Sequence, residues 1–352
     1  MNDIYPPGHT YIIGEIGQNH NGSVDIAKLI VDLVARPVRD EASDIDLRPM
    51  DAVKMTKRDL KEELAASAMN RPYDSPNSFG RTYGEHRAAL ELDDQAHLEV
   101  YRHAKSLGLD FVETLCSLGC LSMLNLFTPD RLKVASRDLT NLPLLAAMAE
   151  TRIPMILSTG MAGKEELDTA LDVITRYHDQ VAILHCVSQY PTYPDNLNLR
   201  TITYLLKHYP QYTIGFSDHT IGIAAPAVAV GMGARIIEKH ITIDRHMKGT
   251  DQRGSLGPDG VNRMVRDIRI AERWMGREDL YIDPAVAGAK VKLERSVATR
   301  TALPAGHVLT ADDLHLLSPG DGFKWAERDR VIGHRLLHDL AADEIIYPDN
   351  ID

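Results

Sequence analysis

The chain has 352 residues, 44% hydrophobic and 25% charged, with a formal net charge of −11. This is an ordinary globular composition, long enough for one large domain plus a smaller one. The acidic balance and the lack of a long basic tract argue against nucleic acid as a partner, and no apolar run reaches the roughly 18 residues of a membrane span.

The polar N-terminus does not read as a signal peptide, so a cytoplasmic protein is expected. Cys116, Cys120 and Cys186 are odd in number and lack zinc-ribbon spacing. They read as reduced thiols in plain packing roles.

In chain order the first apolar, β-branched run is Tyr11–Gly17, followed by a helix-like stretch, Val24–Ala35. Arg36–Met50, rich in Asp and Arg, reads as a solvated helix-to-strand loop. The second run, Asp51–Met55, leads into Thr56–Glu91, a long connection whose Asn70–Gly84 stretch of Pro, Ser, Asn and Gly reads as a mobile or partner-ordered lid. Helix-like Leu92–Leu107 and strands Asp110–Leu115, Arg131–Ser136 and Pro154–Thr159 come next. Lys164–Tyr177, Val181–Cys186, Leu199–His208, Tyr212–Ser217 and Ala234–His240 continue the alternation. Eight strands separated by helices predict a parallel (β/α)8 TIM barrel.

Beyond the helix-like Pro258–Met275 the chain changes character. Ser296–Ala302 is a short β-like run, Pro304-Ala305-Gly306 a turn, and Thr310–Leu314 a capped helical turn. The domain reading is residues 1–280 for the barrel, 281–292 for a linker and 293–352 for a small cap, which by size should dock on the barrel or on a second subunit.

The strand ends carry Glu15, Lys54, Thr114, Ser136, Ser158, Ser188 with Tyr190, Ser217 with His219, and Glu238 with His240. In a barrel those ends form the catalytic face. Residues two apart in a strand share a face, so His219 and His240 converge from neighbouring strands as a candidate divalent-metal pair. Lys239 should point the other way, toward the helices. Lys54 leaves open a Schiff-base aldolase, and a metal-dependent hydrolase is a further alternative, although that chemistry normally takes more ligands than two histidines. A binding barrel that has lost activity is the non-enzymatic reading. His185 reads as packed, Asn19 and His20 as turn-shaping residues, and Trp274 and Trp325 as packing residues. Asp218 either orients a histidine or caps a turn.

The ordered motifs Gly14–Gly22 (GEIGQNHNG), Lys133–Asn141 (KVASRDLTN), Ile156–Met161 (ILSTGM), Leu184-His185-Cys186, Tyr190-Pro191-Thr192, Ser217–Thr220 (SDHT) and Glu238-Lys239-His240 resemble the sialic acid synthase family. These are the phosphoenolpyruvate-dependent synthases of nonulosonic acids. The C-terminal segment resembles that family's antifreeze-like (SAF, β-clip) cap. The resemblance implies condensation of phosphoenolpyruvate with an open-chain hexose derivative, releasing phosphate. It implies His219 and His240 as ligands of Mn2+ or Mg2+, and Lys54, Thr114, Lys133, Ser136, Ser158, Ser188 and Ser217 around phosphoenolpyruvate. Glu15, Tyr190, Glu238 and Asp251 fall around the acceptor sugar and metal. A domain-swapped homodimer is implied, each cap closing its partner's site.

Four departures lie mainly on the acceptor side. Lys54-Met55-Thr56 stands where the family has Lys-Phe-Gln, Glu113-Thr114-Leu115-Cys116 where it has Ser-Thr-Pro-Phe, and Ser188 replaces an asparagine. Ser318-Pro319-Gly320 stands where the family's Arg-Pro-Gly reaches the acceptor's N-acyl group. Either Arg253 or Arg300 takes over that contact, or the acceptor is a neutral hexose without an N-acyl group, or it is an unusual modified sugar.

Overall fold

The computed structural model describes residues 8–42 and 44–352. Strand β1 (Tyr11–Glu15) is buried along its whole length. Helix α1 (Val24–Val34) starts where the Ser23 hydroxyl accepts the Ile26 amide, and it buries Ala27, Ile30, Val31 and Val34, the three- and four-residue spacing of an amphipathic helix. Part of Arg36–Met50 is an antiparallel hairpin, β2 (Val38–Asp40) with β3 (Ile45–Leu47), and not a solvated loop. Its cross-strand partners Val38 and Leu47 are both buried in the core, a pair hidden in the sequence by its Asp and Arg neighbours.

Strand β4 (Ala52–Lys57) leads into three short helices, α2 (Leu60–Glu63), α3 (Ala66–Met69) and α4 (Tyr83–Ala88), before α5 (Asp94–Ser106). The long connection read as a lid therefore carries structure of its own. Tyr73, Phe79 and Tyr83 pack their rings around His86, which is buried.

The remaining barrel units are β5 (Asp110–Leu115), β6 (Arg131–Val134), α6 (Leu142–Glu150), β7 (Met155–Ser158), α7 (Lys164–Ile174), β8 (Val181–Cys186), α8 (Arg200–His208), β9 (Thr213–Asp218), α9 (Ala224–Gly231), β10 (Ile236–His240) and α10 (Pro258–Trp274). The strands pair in parallel in the order β1-β10-β9-β8-β7-β6-β5-β4 and close into an eight-stranded barrel, as the alternation predicts.

The strand sequences explain where the site forms. Outward side chains such as Ile12, Val53, Phe111, Leu132, Leu157, Ile183, Phe216 and Ile237 pack under the helices. Inward ones are apolar near the strand starts, where Tyr11, Ile13, Ala52, Val112, Ile156, Ala182, Leu184 and Ile236 fill the barrel. Toward the strand ends the same inward face turns polar. The lower half is filled with apolar side chains, and the polar upper half is the candidate site.

The chain divides into two compact units, Met1–Gly276 and Arg277–Asp352. The second holds α11 (Ala287–Leu293) and an antiparallel pair, β11 (Ser296–Thr299) with β12 (Leu314–Leu317). Its core gathers Val297, Leu309, Leu314, Phe323, Val331 and Ile346. The 281–292 stretch read as a linker thus contains most of a helix. The turn at Thr310 is a 3-10 turn, with the Thr310 capping box expected. Trp274 and Trp325 correct a further expectation: they are 81% and 41% exposed rather than packed.

Candidate active site

The mouth of the barrel holds a cavity of about 290 Å3. Lining it are Glu15, Lys54, Thr114, Lys133, Ser136, Ser158, Ser188, Tyr190, Ser217, His219, Glu238, His240 and Asp251, which is every residue that the strand ends and the resemblance pointed to, whereas the alternative acceptor contacts Arg253 and Arg300 do not line it. Strand register puts Glu15 beside Lys54 on one side and His240 on the other.

Four buried charges occupy the floor. Lys54 Nζ lies 2.6 Å from Glu15 and 3.8 Å from Glu238, and it donates to Thr114 Oγ1 at 3.3 Å. Lys133 Nζ donates to Ser158 Oγ at 2.6 Å and lies 4.0 Å from Glu238. Ser217 Oγ donates to Glu238 Oε1 at 2.9 Å. The two carboxyls separate sharply. Burial pushes Glu15 up to about 7, against the pull of Lys54 and with the repulsion of Glu238. Burial also acts to raise Glu238, but Lys133, Lys54 and the Ser217 hydroxyl overcome it and hold the group down to about 2. Lys54 is depressed by burial yet lifted above its ordinary value by its two carboxylates, whereas burial leaves Lys133 lowered. The result is one proton-exchanging acid and one fixed anion within reach of the same ammonium.

Beside them is a polar recess. Gly160 N–H donates to Ser136 Oγ at 3.0 Å. A Cβ added at Gly160 would lie 2.5 Å from Ser188 Oγ, 2.8 Å from Ser136 Oγ and 2.9 Å from Cys186 Sγ. The missing side chain keeps the recess open, and Ser188 Oγ is buried there without a hydrogen-bond partner among the described residues. An unpaired hydroxyl facing a cavity beside two lysines suits an anion with several acceptor oxygens.

On the far wall the imidazoles of His219 and His240 have ring centroids 5.6 Å apart. His219 Nδ1 donates to the Val187 carbonyl at 2.9 Å, which leaves Nε2 as the free nitrogen. His240 Nδ1 is buried with no hydrogen-bond partner among the described residues, and burial keeps the ring neutral by lowering its pKa. The Tyr190 ring lies tilted against His219, with ring centroids 4.1 Å apart. Two imidazoles with free nitrogens, beside Glu238 and Asp251, fit a divalent cation. Among the described residues no group of three His, Cys, Asp or Glu side chains forms a complete protein cage. Two protein ligands would leave positions for substrate and water.

The neighbouring residues sort themselves by face. Lys239 points outward, 2.6 Å from Asp218, and donates to the Thr220 carbonyl. Asp218 also accepts the Thr220 amide, so it caps the turn and pairs with Lys239. His185 is a packed histidine that bonds the Leu197 carbonyl and stacks on Phe216. Asn19 Nδ2 donates to the Ile241 carbonyl and His20 Nδ1 accepts the Gly22 amide, both shaping the loop after β1. Cys116 and Cys120 are buried as expected, but Cys186 lines the cavity, so for it plain packing does not hold.

Sequence reading missed several lining residues, chiefly Gln18, Thr56, Arg58, Arg137 and Met161. Lys54, Thr56 and Arg58 continue the two-residue period of one strand face, and Arg137 directly follows Ser136. Those were the available signals. At the cap turn, Ser318 Oγ donates to the Leu293 carbonyl and is thereby used locally. Arg253 lies beside the histidines, lining a smaller chamber with Tyr190, His219, His240 and Asp251.

Residues 47–279 match the NeuB family model and residues 294–352 match the SAF domain model. Human N-acetylneuraminate-9-phosphate synthase is 31% identical over 97% of this chain and 92% of its own length. N,N'-diacetyllegionaminic acid synthase of Legionella pneumophila is 32% identical over 100% of this chain and 98% of that protein. Among solved structures, the N-acetylneuraminic acid synthetase of Leptospira borgpetersenii superposes with a TM-score of 0.67 at 28% identity, covering 80% of this chain and 90% of that one.

Proposed function

This chain belongs to the NeuB family, with a SAF domain at its C-terminus, and from that premise we propose that its cavity joins phosphoenolpyruvate to the aldehyde of an open-chain hexose derivative of the N-acylmannosamine type. The product is a nonulosonic 2-keto acid, and phosphate leaves. The observation that carries the reading is the floor of Lys54, Lys133, Glu15 and Glu238 beside the open serine recess and the histidine pair.

Each residue has a task. Lys54 and Lys133 offset the carboxylate and phosphate of phosphoenolpyruvate, while Ser136, Ser158, Ser188, Ser217 and Thr114 orient the enol. His219 and His240 would hold Mn2+ or Mg2+, and a nitrogen pair suits manganese better than magnesium. When bound, the cation acts as a Lewis acid on the acceptor carbonyl. The enol carbon adds to the aldehyde carbon, and the Glu15 carboxyl, poised near neutrality, gives its proton to the carbonyl oxygen. Positive character at C2 is stabilised by the fixed Glu238 carboxylate. Water adds at C2, returning one proton to Glu15; the bond from C2 to the bridging oxygen then breaks, and the departing phosphate takes the proton of the new C2 hydroxyl to leave the ketone. Tyr190 and Asp251 line the acceptor side.

The Schiff-base alternative loses support here. Lys54 is held as an ammonium by two carboxylates and Lys239 faces away from the cavity. A neutral hexose acceptor remains the second reading, favoured by Ser318 being tied to Leu293. We further propose a cytoplasmic homodimer in which the cap of one protomer serves its partner's site. No helix among the described residues is long and apolar enough to cross a membrane.

The test is phosphate release from phosphoenolpyruvate with manganese, across acylated and non-acylated hexose acceptors. Release that requires both an acceptor and the metal, and stops with chelator, is expected. Borohydride trapping of a substrate adduct on Lys54 would overturn the reading.

A further inference from the structure

Two guanidiniums face the same cavity and have no part in the steps above. Arg58 lies just beyond β4, and Arg137 lies in the turn after β6. Both line the cavity, but the acids that hold them do not. Glu63 Oε1 takes Arg58 Nη1 at 2.5 Å and Arg137 Nη1 at 3.1 Å. Asp138 sits 3.3 Å from Arg137 Nε, and Glu91 sits 3.8 Å from Arg58 Nε. The cations therefore front the cavity and their counter-charges back them. A fifth contact, Arg137 Nη2 to Cys116 Sγ at 3.0 Å, is to a thiol that burial pushes up to about 12, so it adds no negative charge.

The arrangement makes a second cationic place, distinct from the floor. Lys54 and Lys133 are already matched by Glu15 and Glu238 and, when phosphoenolpyruvate is bound, by its two anionic groups. The arginines rise from the β4 and β6 ends, across the barrel from the β9 and β10 ends that carry His219 and His240. An acceptor whose carbonyl lies at the histidines would extend toward them. Glu63 and Asp138 hold both forks in place, so little side-chain freedom is left to lose on binding.

We propose that Arg58 and Arg137 grip a phosphate monoester on the acceptor, at the end remote from its carbonyl, so that the acceptor is a sugar phosphate. This rests on the reading of the cavity as a phosphoenolpyruvate-dependent synthase. A phosphate presents enough oxygens for two guanidiniums at once, each as a charge-assisted pair, whereas a terminal hydroxyl satisfies one N–H.

The experiment compares kcat/KM for two acceptor pairs, N-acetylmannosamine and its 6-phosphate, and mannose and its 6-phosphate. The enzymes are wild type, Arg58→Gln, Arg58→Lys and Arg137→Gln. Wild type should prefer the phosphate ester in at least one pair. Each glutamine variant should cut that preference by roughly ten- to a hundredfold, the loss expected for a hydrogen bond to a charged group, while the KM for phosphoenolpyruvate stays within about twofold. Arg58→Lys should keep part of the preference. A variant that folds poorly lowers both members of a pair and leaves their ratio intact, so the ratio reports the contact alone. Wild-type preference for the unphosphorylated sugar, or ratios unmoved in both glutamine variants, would overturn the assignment and leave the synthase standing. No acceptor-dependent phosphate release from any of the four would overturn the synthase reading itself, and this inference with it.

Discussion

At the scale of single residues, the proposed reaction depends on which atoms stay unpaired and which carboxyl holds a proton. Gly160 is the sharpest case, because a methyl group there would sit among three polar atoms of the recess. Gly160→Ala should raise the KM for phosphoenolpyruvate roughly ten- to a hundredfold, since overpacking typically costs 1–3 kcal/mol, with the acceptor KM much less affected. Initial-rate kinetics with each substrate varied will check this. Glu15 gives a pH test on the metal-free, substrate-free protein. Its folded pKa of about 7 lies above the ordinary 4.5, so ionised Glu15 opposes folding. That penalty is absent below 4.5, grows through the interval and is complete above about 7. The Tm of wild type minus that of Glu15→Gln should therefore fall as pH rises from 4.5 to 7. Groups shared by both proteins, such as His20, cancel in the difference. A flat difference would mean that Glu15 has an ordinary pKa. These residues were legible in the sequence because they sit where apolar strands end in Glu, Lys, Ser and His. Arg58 was not, because it lies past the strand end, and only continuation of the Lys54–Thr56 period pointed to it.

Among the elements, β9 and β10 show how one strand pair serves two masters. Their register sets Ser217 beside Glu238 and Asp218 beside Lys239. The first pair faces the cavity and the second faces outward as a fully buried ion pair. Lys239→Met leaves Asp218 as a buried charge without its ammonium and should destabilise the protein by about 3–5 kcal/mol. The double variant Asp218→Asn/Lys239→Met should recover much of that in denaturant unfolding. Neither effect is catalytic, so residual active protein should keep its KM values. Period-two alternation made this facing legible from sequence. The β2–β3 hairpin was not, because its three-residue strands leave only Val38, Ile45 and Leu47 as an apolar signal among charges. Helix α11 was likewise read as linker, and at seven residues it offers too short a periodic pattern.

Over the whole molecule, two units with separate cores divide the labour. The barrel holds every proposed contact with phosphoenolpyruvate, while the proposed role of the SAF domain is to close a partner's acceptor site. A chain ending at Lys292 should keep phosphoenolpyruvate binding in titration calorimetry and lose acceptor turnover. Mixing it with full-length Lys133→Met should restore part of the activity, because each contributes what the other lacks. Failure to restore any would contradict shared sites. The barrel was legible because eight strand–helix alternations admit few closures. The exposure of Trp274 and Trp325 was not, since sequence does not say which apolar side chains remain uncovered in one chain.

The central claim is that the cavity joins the enol carbon to an aldehyde, adds water at C2 and expels phosphate with its bridging oxygen. Phosphoenolpyruvate labelled with 18O at the bridging position tests it most directly, with acceptor, manganese and mass spectrometry of both products. All label should appear in inorganic phosphate, in equal amount to an unlabelled 2-keto acid. Label in the keto acid, or phosphate release without a condensed product, would contradict the account.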